Sequence, residues 1–141
     1  MNPDFLISIA LDGDGRVFRP GETLSGRYWI ESSDPQRIKA IEASVLWHTE
    51  GKGDEDMAVH EFWRRDADRE LPFDPRRPEQ FSTTLPNTPL SYDGRIVKLR
   101  WCVRVRVLLH RGKDVVGEKG FLLGEVPPAG YASQNGNVAR K

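Results

Sequence analysis

Four cationic side chains recur along one segment of the chain and are the strongest candidates for a binding role. They are Lys98, Arg100, Arg104 and Arg106. Alternate residues of an extended strand project from one face about 7 Å apart, so these cations would present a ladder to an acidic peptide, phosphate groups or nucleic acid. The alternative is that they pair with carboxylates of neighbouring strands, such as Glu118 or Glu42, and keep a solvent-facing sheet soluble. The pattern leaves both interpretations open.

A second candidate surface is apolar. Trp29 and Leu46 are both predicted to lie on the solvent-facing side of their strands. If the two strands are neighbours, the side chains would form an exposed apolar patch of the kind that marks a docking surface. The alternative is that a loop or the C-terminal tail covers them. We take these two residues, together with the four cations, as the candidate partner-binding residues.

Residues that could perform catalysis are few and poorly spaced. His48 and His60 match no recognised metal-ligand spacing, although a hairpin would bring them together and, with a nearby carboxylate, suggest a metal-dependent hydrolase. Cys102 is predicted on the polar face beside Arg100 and Arg104, which would lower the pKa of its thiol. The chain contains no phosphate-binding glycine loop and no nucleophile elbow. We therefore predict no enzyme activity, no catalytic or metal-binding residue and no cofactor.

A ligand-binding module is the main alternative to a protein-binding one. Trp29 and Trp63 would then serve as stacking platforms for a carbohydrate. The N-terminus lacks the basic and long apolar segments of a secretion signal, and the single cysteine cannot form an internal disulfide. Both features predict a cytoplasmic protein, which counts against an extracellular carbohydrate ligand.

Charge and hydropathy narrow the choice of partner. The chain carries 21 basic and 21 acidic side chains, so it lacks the long-range positive field on which nucleic-acid binding normally relies. No apolar run approaches the roughly 18 to 20 residues that span a bilayer. We therefore expect another protein as the partner, no nucleic acid and no direct insertion into a membrane.

The elements that position these side chains are predicted to be strands. Apolar and polar residues alternate most clearly over residues 96–109, which predicts a long strand with one buried face. Similar segments recur through the chain, separated by clusters rich in Gly, Pro and Asp, and none has helical periodicity. We predict an all-β sandwich or barrel over residues 1–125, followed by a disordered tail over residues 126–141.

Two segments together resemble the arrestin family. The first, FRPGETLSGRYWI at residues 18–30, is similar to the family's aromatic-x-Pro-Gly-Glu turn and the glycine-containing strand after it. The second, FSTTLPNTPLSYDGRIVKLRWCVRVRV at residues 81–107, resembles the family's proline- and glycine-containing loop and the long strand that it enters. The resemblance covers about residues 3–125 and implies the fold of the family's N-terminal lobe, an all-β, immunoglobulin-like (arrestin-type) antiparallel β-sandwich.

The resemblance also implies a function. Arrestin-like proteins are scaffolds or adaptors, so the chain is expected to be a non-enzymatic domain that binds a partner protein through an exposed sheet face or an edge strand. Unpaired edge strands would also allow two copies to form a homodimer. The chain has room for one sandwich lobe where arrestins have two, so the resemblance does not extend to activation by movement between lobes.

Overall fold

The computed structural model describes residues 4–53 and 55–124, which form an all-β sandwich. The strands are β1 (Phe5–Leu11), β2 (Val17–Phe18), β3 (Thr23–Ser32), β4 (Ile38–Gly51), β5 (Met57–Asp66), β6 (Glu79–Thr84), β7 (Tyr92–Asp93), β8 (Val97–Leu109) and β9 (Val115–Leu123). Single turns of 3-10 helix at Pro35–Arg37 and Ala67–Arg69 follow β3 and β5. The prediction of an all-β sandwich is confirmed, whereas the predicted tail lies outside the described residues.

The strands form two sheets. The smaller sheet has the order β1-β3-β6, and the larger has the order β2-β9-β8-β4-β5 with β7 added beside β8. All strand pairs are antiparallel except β2 and β9, which run parallel over the short segment at Phe18 and Leu123. This parallel pair is the one departure from the predicted antiparallel pattern among the described strands.

Alternate side chains of β8 form the centre of the hydrophobic core. Trp101, Val103, Val105 and Val107 point inward and are buried, as predicted. They meet inward-facing side chains of β3 and β4, including Ile30 and Ile41. Because successive strand residues point to opposite sides, burial of this face places Lys98, Arg100, Cys102, Arg104 and Arg106 on the other side of the larger sheet. We call that side the outer face.

The Pro-Gly-Glu turn that carries the family resemblance is stabilised by its own residues. Gly21 has a φ of +85°, a conformation that glycine adopts without steric cost, and the Glu22 N–H donates to the Arg19 carbonyl oxygen. The Glu22 carboxylate accepts a hydrogen bond of 2.7 Å from the Arg19 N–H, which lowers the pKa of this carboxyl. The turn leaves Phe18 buried immediately before it.

Candidate functional site

The predicted cationic ladder exists on the outer face, and every member has an acidic partner. The ion pairs are Lys98–Asp93 at 3.6 Å, Arg100–Glu50 at 3.2 Å, Arg104–Glu118 at 2.6 Å and Arg106–Asp114 at 3.8 Å. Glu118 is one of the partners that the sequence indicated. The other, Glu42, lies opposite Arg106 in register but pairs with Arg64 of β5 at 2.6 Å. The ladder is therefore largely neutralised within the chain.

Trp29 and Leu46 do not form the predicted common patch. Trp29 lies on the smaller sheet, on the side away from the core, whereas Leu46 lies on the outer face of the larger sheet. Leu46 points to the predicted side of its strand but is only 1% exposed, so the prediction that it is solvent-exposed is wrong. The side chains around it, including Val59 opposite it in register and the longer Phe62 and Arg104, cover it.

A different apolar surface lies on β5. Met57, Val59 and Phe62 all project from the outer face and are between 49% and 51% exposed. We call these three residues the β5 strip. Large apolar side chains that remain half exposed side by side, rather than scattered singly, are typical of binding surfaces.

A β-bulge aligns the β5 strip. Val45 pairs with Glu61 but Leu46 pairs with Val59, so His60 is an extra residue with no partner on β4. Strict alternation would place Val59 and Phe62 on opposite faces of β5. Because the bulge reverses the alternation after His60, both side chains emerge on the outer face.

The bulge is held in place by side chains that reach the smaller sheet. The His60 Nε2 lies 2.7 Å from the Thr84 carbonyl oxygen, which can only accept, so the imidazole donates this hydrogen bond. The Thr83 hydroxyl donates to the Glu61 carboxylate at 2.9 Å. The extra residue therefore connects β5 to β6 and fixes the position at which the alternation changes.

The β5 strip forms one side of a groove across the outer face. Leu46 lies at its floor, and Arg104 and Arg106 of β8 form the opposite side, with Glu42 and Ser44 between the two sides. The enclosed volume is about 160 Å³. Small-molecule sites usually enclose about 300–1,000 Å³, so this groove suits one side chain of a larger partner.

The structure does not bring together the residues considered for metal or carbohydrate binding. His48 lies on the outer face near Glu50, whereas His60 points inward toward β6, so the predicted approach of the two imidazoles is wrong. Trp63 packs against Phe81 with its ring centroid 5.6 Å away. Trp63 and Trp29 therefore face different surfaces. Within residues 4–53 and 55–124, no three His, Cys, Asp or Glu side chains are grouped so that they could hold a metal.

Cys102 lies on the outer face as predicted, but its environment has the opposite effect on the thiol. The residue is buried, and this burial raises the pKa of the thiol to about 11, assisted by Glu118 and opposed by Arg104. The prediction that neighbouring arginines lower this pKa is wrong because desolvation of the thiolate outweighs their charge. The thiol is therefore protonated at neutral pH.

We expect the native protein to react very slowly with the thiol reagent DTNB at pH 7–8. The rate should continue to rise with pH beyond pH 9, without the plateau that an ordinary cysteine reaches near its own pKa. Urea-unfolded protein should react at least about a hundredfold faster at pH 7–8, because the thiolate is the nucleophile and unfolding restores its solvation. The measurement is the absorbance time course of the released chromophore in both states. Rapid stoichiometric labelling of the folded chain at pH 7 would contradict the buried thiol.

Comparison with known proteins supports the architecture. No protein-family model matches the chain, and no curated protein sequence matches it. Its fold is similar to that of Spo0M, the sporulation control protein of Bacillus subtilis, which has an arrestin-like fold, with a TM-score of 0.56 and 15% sequence identity. The similarity covers 89% of this chain and 51% of that protein, so the chain spans about half the length of Spo0M. The predicted arrestin-like fold is confirmed. Among the residues with assigned structure, no helix is long and apolar enough to cross a membrane.

Proposed function

We propose that this chain is a non-enzymatic adaptor domain that binds a partner protein on the outer face of its larger sheet, at the β5 strip. The observation that carries the proposal is the alignment of Met57, Val59 and Phe62 beside the groove floored by Leu46. A partner that covered these side chains would gain roughly 1–2 kcal/mol of hydrophobic stabilisation from each. Such centrally buried apolar contacts dominate the binding energy of most interfaces.

The cationic ladder gives the same surface a polar border. Arg104 and Arg106 adjoin the apolar side of the groove, and Arg100 and Lys98 continue the row along β8. An apolar centre with a charged border is the usual composition of a protein interface. In this proposal Arg104 and Arg106 contribute at the border and Leu46 contributes as the floor, whereas Lys98 and Arg100 lie outside the groove.

The arrestin-like fold is compatible with a regulatory domain that performs no chemistry. Spo0M, which shares this fold, is named as a control protein. The side chains that sequence analysis considered for catalysis have structural contacts here, since His60 connects the two sheets and Cys102 is buried beneath the outer face. These observations support an adaptor more than a hydrolase.

Two matched substitutions test whether the β5 strip is the binding surface. We expect Val59→Glu to weaken partner binding by about tenfold or more, because it places a charge where the partner must exclude water. Leu122→Glu is the control, since Leu122 is 45% exposed on β9 but does not line the groove. The measurement is photo-crosslinking in the native cells from p-benzoylphenylalanine in place of Phe62.

The expected result is one covalent adduct that forms from position 62, persists with Leu122→Glu and disappears with Val59→Glu. The same photo-reactive residue in place of Leu122, which is 45% exposed on the outer part of β9, should not form it. Adducts of equal yield from both positions, or an adduct insensitive to Val59→Glu, would refute the β5 strip as the site. An adduct to a second copy of the chain would identify a homodimer instead.

A further inference from the structure

We infer that the segment bound at the β5 strip carries a large apolar side chain next to an aspartate or glutamate, with the apolar group over Leu46 and the carboxylate on Arg106. This inference rests on the proposed function and adds the chemistry of the partner. It follows from the shape of the groove and from the extent to which each arginine around it already forms ion pairs and hydrogen bonds.

Arg106 is the cation at the groove whose hydrogen-bonding groups are least used. Its ion pair with Asp114 is 3.8 Å long, and within the described part of the chain its side chain makes no hydrogen bond. A guanidinium has five N–H donors in a planar fork, a geometry that matches a carboxylate. The Arg106 side chain is 46% exposed, so a partner can reach it.

The other arginines of this region are already engaged. Arg104 donates to Glu118 at 2.6 Å, and Arg64 donates to Glu42 at 2.6 Å and to Asp66 at 3.0 Å. A new carboxylate at either arginine would have to displace a close, charge-assisted hydrogen bond. At Arg106 it would replace only a long ion pair with an exposed aspartate. The partner carboxylate is therefore expected at Arg106.

The lining of the groove disfavours a basic segment. It includes two guanidinium groups, from Arg104 and Arg106, and one carboxylate, from Glu42. Arg64 neutralises that carboxylate at 2.6 Å. A lysine or arginine of the partner would find the carboxylate of the groove already bound by Arg64. A glutamate or aspartate would instead find the N–H donors of Arg106, which make no hydrogen bond within the described residues.

The size and composition of the groove favour a peptide over a lipid surface. A volume of about 160 Å³ on a floor of Leu46 accommodates a single large side chain. A membrane surface would instead be attracted by a field of unpaired cations, and on this face the ladder is paired with acids along its length. We therefore assign a protein segment, and binding to anionic vesicles becomes a result that would argue against it.

Selection from a phage-displayed library of random peptides tests the inferred chemistry directly. The immobilised full chain should enrich peptides in which a Leu, Ile, Met or aromatic residue lies within a few positions of Asp or Glu. The same selection on the Val59→Glu variant should lose this family of peptides, and selection on Leu122→Glu should retain it. Enrichment of basic peptides, of apolar peptides without acids, or of no peptide family would overturn the inference.

Fluorescence anisotropy with one enriched peptide then assigns the carboxylate to its arginine. Arg106→Gln, which removes the charge and keeps a polar side chain, should weaken binding by about tenfold, and replacing the peptide acid with its amide should have the same effect. The two changes combined should weaken binding no further than either alone, because they remove one interaction. Arg100→Gln is the matched control, since Arg100 is 45% exposed on the same face outside the groove, and should change affinity less than twofold.

The outcomes separate this inference from the proposed function. Binding that needs Val59 but is unaffected by Arg106→Gln would refute the carboxylate contact and leave the β5 strip as the docking surface. Binding that did not depend on Val59 would refute both the carboxylate contact and the β5 strip as the docking surface. Binding of vesicles of phosphatidylserine and phosphatidylcholine that is lost with Val59→Glu would show a lipid surface in place of the peptide.

Discussion

Trp101→Ala is expected to lower the free energy of unfolding by about 4 kcal/mol, within the range measured for removal of a large buried aromatic side chain. Trp101 is buried in the first half of β8, where its ring lies 5.9 Å from that of Phe121 and 6.2 Å from that of His60. Its indole N–H donates to the Pro89 carbonyl oxygen at 2.8 Å. The substitution removes all three contacts and leaves a cavity between the sheets. The measurement is urea unfolding followed by circular dichroism.

Trp101→Phe separates packing from hydrogen bonding in this prediction. The phenyl ring retains much of the apolar volume but cannot donate to Pro89, so we expect a smaller loss of about 1–2 kcal/mol. A similar slope of the transition in denaturant for both variants would show that the folded and unfolded states are otherwise unchanged. If Trp101→Ala cost no more than Trp101→Phe, the ring would not be a principal core contact.

The fold could be predicted from the sequence because its main signals are local. Alternation over β8 identifies the strand and its buried face within 13 residues, without knowledge of any neighbour. The Pro-Gly-Glu turn is equally local, since Gly21 provides the positive φ and Glu22 accepts the hydrogen bond of Arg19. Features of this kind depend on residue types at fixed short spacings.

The β5 strip could not be predicted because it depends on one unpaired residue. In the sequence of β5, apolar residues occur at both odd and even positions, so the pattern does not show which face of the strand is buried. The ambiguity arises from the bulge at His60, which is fixed by Thr84 of another sheet, 24 residues along the chain. The available signal was an apolar pattern that changes from one face to the other within the strand. A β-bulge produces such a change, so the pattern can be interpreted as a bulged strand and not only as a doubtful one.

The state of the predicted site residues also depended on partners distant in sequence. Whether Arg104 was free or paired depended on Glu118, which the hairpin of β8 and β9 places directly opposite. Glu42 lies opposite Arg106 and still pairs with Arg64, so register alone does not select ion pairs. The alternation places Leu46 on the outer face, but the side chains that surround it decide how much of it solvent can reach. Sequence patterns indicate the face of a side chain and not its accessibility.

Gly26→Ala is expected to lower the free energy of unfolding by about 3 kcal/mol, the upper part of the range for overpacking a core. Gly26 lies at the centre of β3, between Leu11 of β1 and Phe81 of β6. A Cβ there would overlap the Ala10 carbonyl oxygen and approach the Phe81 ring to 3.1 Å. The carbonyl belongs to the backbone, so β1 and β3 would have to separate. For a chain of this size the melting temperature should fall by roughly 10 °C, measured by calorimetry.

Gly120→Ala is the matched control, because it adds the same methyl group to a strand of the other sheet. A Cβ at Gly120 would meet its nearest neighbour, the Trp101 carbonyl oxygen, at 3.8 Å, which is an ordinary contact. We expect a change within about 0.5 kcal/mol. Gly117→Ala should fall between the two, since its Cβ would lie 2.9 Å from the Ile7 side chain, which can move more easily than backbone. If Gly26→Ala proved as mild as Gly120→Ala, β1 would not pack against β3 as closely as the structure shows, and the smaller sheet would tolerate an added side chain at its centre.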